Sequence, residues 1–239
     1  MAANAPTVYL TGASRGIGRA VALAFSETYP GARLALIARQ AEALRQVAAL
    51  AQERGAGPVY WHAGDVTKQA DVDQWVQAAR SRLGSADVLV LNAGWFAPGG
   101  IQETDPELFE AVLGVNLVAA FRVARAVVPD MLRRASGHVF TLCSVASIRG
   151  YPKGLAYCAA KHGLLGLTRA LREELKAHGV RVTAVLPGAT WTDSWAGTEL
   201  PETRFMPPED VARAIVAAYA MSARTVVEEL LLRPQLGDV

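Results

Sequence analysis

Tyr157 and Lys161 stand four positions apart in the stretch GLAYCAAKHGLLGLTRALREEL, whose apolar residues recur at helical spacing. One helical turn apart, the two side chains share a face. A free phenol has a pKa of roughly 10, and an ammonium beside it favours the phenolate, so the pair could exchange protons near neutral pH. Ordinary surface and core pairs show the same spacing, so the remainder of the chain has to decide.

A second stretch, VYLTGASRGIGRAVALAF, reads as strand, turn and helix, with Gly12, Gly16 and Gly18 in the turn. Glycine permits the tight turn and close backbone approach, and the free N–H groups of a helix start receive a pyrophosphate. Gly12, Ser14, Arg15, Gly16, Ile17 and Gly18 are therefore candidate dinucleotide contacts. In such folds an acid near the end of the second strand binds a ribose 2′-hydroxyl, whereas arginine suits a 2′-phosphate. That strand ends LALIARQ, with Ala38 in the place of the acid and Arg39 next to it. Arg15 offers a second guanidinium, and the expected cofactor is NADP(H).

Alternating strand-like and helical segments position these residues. Strand patterns fall at 7–10, 33–38, 58–63, 87–92, 138–143, 180–186 and 225–232, and helical patterns at about 17–29, 41–54, 69–83, 106–134, 156–178 and 208–221. Strands apolar on both parities suit a parallel sheet covered on both faces. The expectation is an α/β fold: one doubly wound Rossmann-type domain over 1–239, with a seven-stranded, mostly parallel sheet. The irregular stretch PGATWTDSWAGTELPETRFMP (187–207) is long enough to serve as a substrate lid.

Composition narrows the function classes. With 239 residues, 51% hydrophobic, 19% charged and a net charge of +2, nothing points to nucleic acid or a membrane surface. Neither a signal peptide nor an apolar run of membrane-spanning length is expected, and a cytoplasmic location follows. Cys143 and Cys158 make no disulfide framework, and Cys158 reads as a small packed residue. His138 and His162 lack metal-ligand spacing, and no metal site is expected.

With these motifs in place, the chain resembles the short-chain dehydrogenase/reductases of the compact subfamily over nearly its full length. TGASRGIG matches the family's glycine loop, and Asp65-Val66 its adenine-contacting pair. Asn92-Ala93-Gly94 matches the segment after the fourth strand, although Leu91 stands where a second Asn is usual. Asn116 in GVNLVAAF matches the helix asparagine, Ser144 lies thirteen positions before Tyr157, and YCAAK supplies Tyr-x-x-x-Lys. PGATWT matches the segment that cradles the nicotinamide, adding Pro187, Gly188, Thr190 and Thr192. Cys143 replaces a common Ser. The ending SARTVVEELLLRPQLGDV lacks the Gly-Gly of many tetrameric members and resembles bacterial carbonyl reductases of the sepiapterin reductase-like kind.

The resemblance implies hydride transfer between nicotinamide and a carbonyl carbon. Tyr157 would be the proton donor in reduction, with Lys161 lowering its pKa and holding the nicotinamide ribose; both count among the cofactor contacts. Ser144 would donate to the substrate oxygen, Asn116 would position Lys161 through a water, and Thr192 would contact the carboxamide. The substrate is expected to be a small-molecule ketone or aldehyde. Trp95, Phe96, Arg149 to Tyr151, Trp191 and Trp195 are its candidate contacts, and Asp193 or Asp238 could hold an amino-substituted heterocycle such as a pterin. Two alternatives stay open: a 3-oxoacyl-thioester reductase using Arg122, Arg125, Arg133 and Arg134 to dock an acidic carrier protein, and a non-catalytic NADP(H)-sensing protein. The family's habit of associating through its two long helices implies a homodimer or homotetramer.

Overall fold

Successive residues of the inner strands are buried because both faces of the sheet are covered. Tyr9, Ile37, Leu89, Val139 and Val182 pack toward one core, and Val8, Leu10, Leu36, Val90 and Phe140 toward the other. The computed structural model describes residues 5–238. Along them run β1 (Thr7–Thr11), α1 (Gly16–Thr28), β2 (Arg33–Ala38), α2 (Ala41–Glu53), β3 (Val59–Ala63), α3 (Gln69–Leu83) and β4 (Val88–Leu91). Then follow α4 (Pro106–Leu113), α5 (Ala119–Arg134), β5 (Gly137–Leu142), α6 (Leu155–Leu175), β6 (Val180–Pro187), α7 (Pro208–Tyr219) and β7 (Glu229–Leu232).

The strands lie in the order β3-β2-β1-β4-β5-β6-β7, and every pairing is parallel. Helices α1, α2 and α7 cover one face through Phe25, Leu44 and Ile215, and α3, α5 and α6 the other through Val76, Val127 and Leu164. The order reverses beside β1, which pairs with both β2 and β4. A crevice opens at the carboxyl ends of the strands at such a reversal.

Three expectations are corrected. The strand expected over 225–232 is only Glu229–Leu232. In its first half Val227 gives its carbonyl to the Thr183 hydroxyl (2.6 Å), and Glu228 accepts from both the Ala184 N–H (2.9 Å) and Arg172. The helix expected over 106–134 is continuous but widens into a π-helical turn at Gly114–Val118. There the side-chain amide of Asn116 takes the carbonyl of Val112 (3.0 Å), the group an α-helical ladder would assign to the Asn116 N–H. That same run, Pro106–Arg134, is long and apolar enough to cross a membrane by length and composition, contrary to expectation. Val112, Val123, Val127 and Met131 within it are buried against the rest of the protein.

His138, on β5, is fully buried, stacks on Phe140 (3.9 Å between centroids) and bonds Thr183 Oγ1 at 2.8 Å through Nε2. Burial, helped by the charge of Arg181, lowers its pKa from 6.5 to about 3. Between those two values the unfolded chain takes up a proton that the folded chain refuses, so stability falls as pH drops, by about 1.4 kcal/mol per pH unit. His138→Gln keeps a partner for Thr183 and cannot titrate. Denaturant unfolding from pH 6.5 to 4 should show the variant losing about 3 kcal/mol less than the parent. Parallel curves would contradict this.

Candidate active site

The crevice has a volume of about 1150 Å³. Its floor is the turn between β1 and α1. Gly12 and Gly16 there have φ of +66° and +51°, which only glycine adopts freely. A Cβ on Gly12 would lie 2.8 Å from Asn92 Nδ2 and 2.9 Å from Ala93 Cα, so the turn has no room for a side chain. Asn92 braces it by donating to the carbonyls of Thr11 and Gly12, both at 3.0 Å. Thr11 Oγ1 accepts in return from the N–H groups of Asn92 and Ala93, both at 3.0 Å. Helix α1 begins on extended Arg15 with no side-chain cap and no acid in its first turn. Its free N–H groups and positive end are thus available to an anion, which is the chemistry a pyrophosphate needs.

The ends of β2 and β3 form one wing. Arg39 is exposed there, and Asp65 and Val66 line the crevice. Burial pulls the Asp65 carboxyl upward, but hydrogen bonds from the Thr67 N–H and hydroxyl (2.9 and 2.8 Å), together with the charges of Arg39 and Lys68, outweigh it and lower the pKa. No acid stands where a 2′-hydroxyl would bind, and Arg39 does. Arg15, the second cation expected here, is engaged by Asp193 at 2.7 Å.

At the other end, α6 carries Tyr157 and Lys161, and the end of β5 carries Ser144. Lys161 is buried, and its Nζ donates to the Leu142 carbonyl at 2.7 Å. Its Nζ lies 5.5 Å from the centroid of the Tyr157 ring, and Phe96 meets the other side of the site edge-on to that ring at 5.2 Å. Ser144 caps a 3₁₀ turn at Val145–Ser147, accepting from the Ala146 N–H (3.1 Å). Its hydroxyl points to the Pro187 carbonyl at 3.5 Å, and it lies near enough to Tyr157 to favour the phenolate.

The electrostatics differ from the expectation that Lys161 lowers the Tyr157 pKa. Burial pushes Tyr157 up to about 12, against the opposing influence of the Ser144 hydroxyl. Burial likewise brings Lys161 down to about 8, with the nearby Cys143 thiol opposing. Desolvation dominates both groups because the ammonium faces a carbonyl rather than the phenol oxygen. The phenol is thus a protonated acid across the neutral range.

Asn116 is buried on the π-helical turn, where it bonds the backbone of Trp95 in both directions, donating at 2.8 Å and accepting at 3.2 Å. Its side chain makes no direct bond to Lys161 among the described residues.

Every site residue expected from sequence lines the crevice except Gly18. Gly18 is buried in α1, and a Cβ on it would overlap the Gly12 carbonyl and lie 2.6 Å from Asn92 Nδ2. It lets helix and loop approach, and it is not among the residues that line the crevice. Of the expected substrate contacts, Trp95, Phe96, Arg149, Tyr151 and Trp195 line the far end, whereas Trp191 packs on Phe205 (5.1 Å) away from it. Asp238 also lies there. One of its carboxylate oxygens is held by Arg233 and Arg149, and the other, Oδ1, is buried with no partner. Sequence reasoning missed the carbonyl of Leu142 and the hydroxyl of Thr11, which act through backbone geometry.

Elsewhere, Arg122 is spent on the Thr67 carbonyl, Arg133 on Asp130 and Arg134 on Asp87. Cys143 and Cys158 are buried free thiols, and His162 bonds the Cys158 carbonyl within α6. Among the described residues no three His, Cys, Asp or Glu side chains gather into a ligand set.

Comparison with known proteins agrees with this geometry. Residues 6–202 match the family model described as short chain dehydrogenase. A sepiapterin reductase from Chlorobaculum tepidum is 35% identical over 236 residues, covering 96% of each chain. Among solved structures, an alcohol dehydrogenase from the archaeon Thermococcus sibiricus, complexed with 5-hydroxy-NADP, is 31% identical with a TM-score of 0.89 and 99% coverage of both chains. L-sorbose reductase from Gluconobacter frateurii, complexed with NADPH and L-sorbose, is 27% identical with a TM-score of 0.89, covering 98% of this chain and 97% of that one.

The packing of Gly18 sets a test. Gly18→Ala forces a methyl against backbone that cannot retreat without moving Asn92, at a cost of about 1–3 kcal/mol. Thermal unfolding should show a lowered midpoint, and calorimetry a weakened affinity for dinucleotide. An unchanged midpoint would mean that the loop is not held against the helix as described.

Proposed function

The chain belongs to the short chain dehydrogenase family and is an oxidoreductase; from that premise we propose that it reduces a ketone or aldehyde with NADPH, Tyr157 giving the proton. The observation that carries the proposal is a half-buried phenol that lines, with Ser144 and Lys161, the end of a crevice floored by a glycine turn. Gly12, Ser14, Gly16 and Ile17 would hold the pyrophosphate, Arg39 the 2′-phosphate, and Asp65-Val66 the adenine side. Asn92, Ala93, Gly94, Lys161, Pro187, Gly188, Thr190 and Thr192 would hold the nicotinamide half. When bound, the dinucleotide supplies the hydride that the carbonyl carbon receives.

The protein's part is to manage the oxygen. Ser144 and Tyr157 donate to it, so the charge that develops there is met by donors already in place. The phenol proton then moves to the oxygen, leaving phenolate. With Tyr157 at about 12 and Lys161 at about 8, the ammonium is the stronger acid, and its proton would reach the phenolate through intervening water, since Nζ itself is held by the Leu142 carbonyl. Lys161 regains its proton from water. Asn116 serves as a positioning residue, because its bonds to Trp95 and Val112 fix the wall facing Lys161.

Substrate class follows from the far end of the crevice. Trp95, Phe96, Tyr151 and Trp195 suit a planar or aromatic carbonyl compound. The unpartnered Asp238 Oδ1 suits an N–H donor, as on a pterin, whereas Asp193 is already paired with Arg15. Three of the four arginines that could attract an acidic carrier protein are engaged, which favours a free small molecule over a carrier-bound thioester. The segment 187–207 serves as the lid of a single unit. The exposed apolar side chains Val118 at the end of the π-helical turn, Phe121 on α5 and Leu155 on α6 support association into a homodimer or homotetramer.

NADPH oxidation, followed across ketoesters, aromatic ketones, diketones, pterins and acyl thioesters, tests the proposal. Tyr157→Phe should lower kcat by about 10²–10⁴ while NADPH affinity holds. The value of kcat/KM should be level below pH 8 and fall above it, as free-enzyme Lys161 loses the proton it has to carry. Asp238→Asn should raise KM for pterins alone. Full activity in Tyr157→Phe would refute the proposal.

A further inference from the structure

The ion pair between Arg15 and Asp193 joins the glycine turn to the segment after β6. It is reinforced next door, where the Thr192 methyl sits over Gly16 so closely that a Cβ there would lie 3.1 Å from it. The backbone of Asp193 is ordered. It opens a 3₁₀ turn, Asp193–Trp195, closed by hydrogen bonds from Trp195 N to Thr192 O (2.9 Å) and from Ala196 N to Asp193 O (3.1 Å). The Trp195 ring anchors that turn on Phe205 at 4.8 Å. The carboxylate is therefore presented to Arg15 by a fixed piece of backbone.

Arg15 and Arg39 both line the crevice, and they are the two guanidinium groups available there to a 2′-phosphate. A guanidinium engages one planar oxyanion along one edge at a time, and a phosphate monoester carries more charge than a carboxylate. Resting on the NADPH reading above, we propose that Asp193 is a specificity-determining residue: it competes with the cofactor's 2′-phosphate for Arg15. Only the phosphorylated dinucleotide unfastens the 187–207 segment from the glycine turn. The unphosphorylated dinucleotide leaves the pair intact. Both side chains are about 60% exposed, so water screens the pair, and its removal should change affinity by about two- to fivefold and no more.

Calorimetric dissociation constants for NADPH and NADH, measured on the parent, Asp193→Asn, Arg15→Gln and the double variant, test this. Asp193→Asn should tighten NADPH by about two- to fivefold and leave NADH unchanged, and in the Arg15→Gln background it should change neither. Equal tightening of both dinucleotides would mean simple removal of charge and would overturn the proposal. So would an effect that survives Arg15→Gln, or no effect at all. A parent protein that binds NADH as tightly as NADPH would instead sink the cofactor reading on which the proposal rests.

Discussion

Lys161 is buried with the carbonyl of Leu142 as its hydrogen-bond partner, and the geometry of the reacting end depends on that bond. An ammonium out of water costs several kcal/mol unless it is well bonded, so the side chain is held wherever the carbonyl is. Leu142 ends β5, and Ser144 follows two residues later. Lys161 lies one turn beyond Tyr157 on α6. The bond from Lys161 to Leu142 therefore sets the distance between the strand end that carries the hydroxyl and the helix that carries the phenol. Burial sets the order of proton affinities there, with the phenol at about 12 and the amine at about 8, so the phenol is the group that holds its proton.

The sheet explains why this end lies beside a dinucleotide cradle. Because β1 pairs with both β2 and β4, the connections on its two sides depart in opposite directions and leave the crevice between them. The mutual bonds of Thr11 and Asn92 then tie the end of β1 to the end of β4, so the glycine turn is rigid before any ligand arrives. Preorganised N–H groups at a helix start hold an anion without further ordering.

Much of this was legible in the sequence because it rests on periodicity and on residues with one physical use. Strand β2 and helix α3 fall where their patterns predict, and Tyr157, Lys161 and Ser144 converge as the motif implies. What escaped depends on contacts between residues far apart in the chain. Arg15 and Asp193 are 178 positions apart, and neither carries a local sign of the other. Ahead of the shortened β7 the Val227 carbonyl is taken by the Thr183 side chain, which a hydropathy pattern does not register. The π-helical turn coincides with the bond from the Asn116 amide to the Val112 carbonyl, and Gly18 packs against the Gly12 carbonyl, a demand that a glycine motif does not distinguish from ligand contact.

The account stands on Tyr157 being a protonated acid rather than a phenolate in the free protein. The direct measurement is a difference titration of phenolate absorbance, the parent minus Tyr157→Phe, without cofactor. A phenol raised by burial should contribute no phenolate signal up to the unperturbed midpoint at roughly 10. A Tyr157 midpoint below that value would show Lys161 stabilising the phenolate more strongly than burial opposes it, and would contradict the assignment of Tyr157 as the standing proton donor.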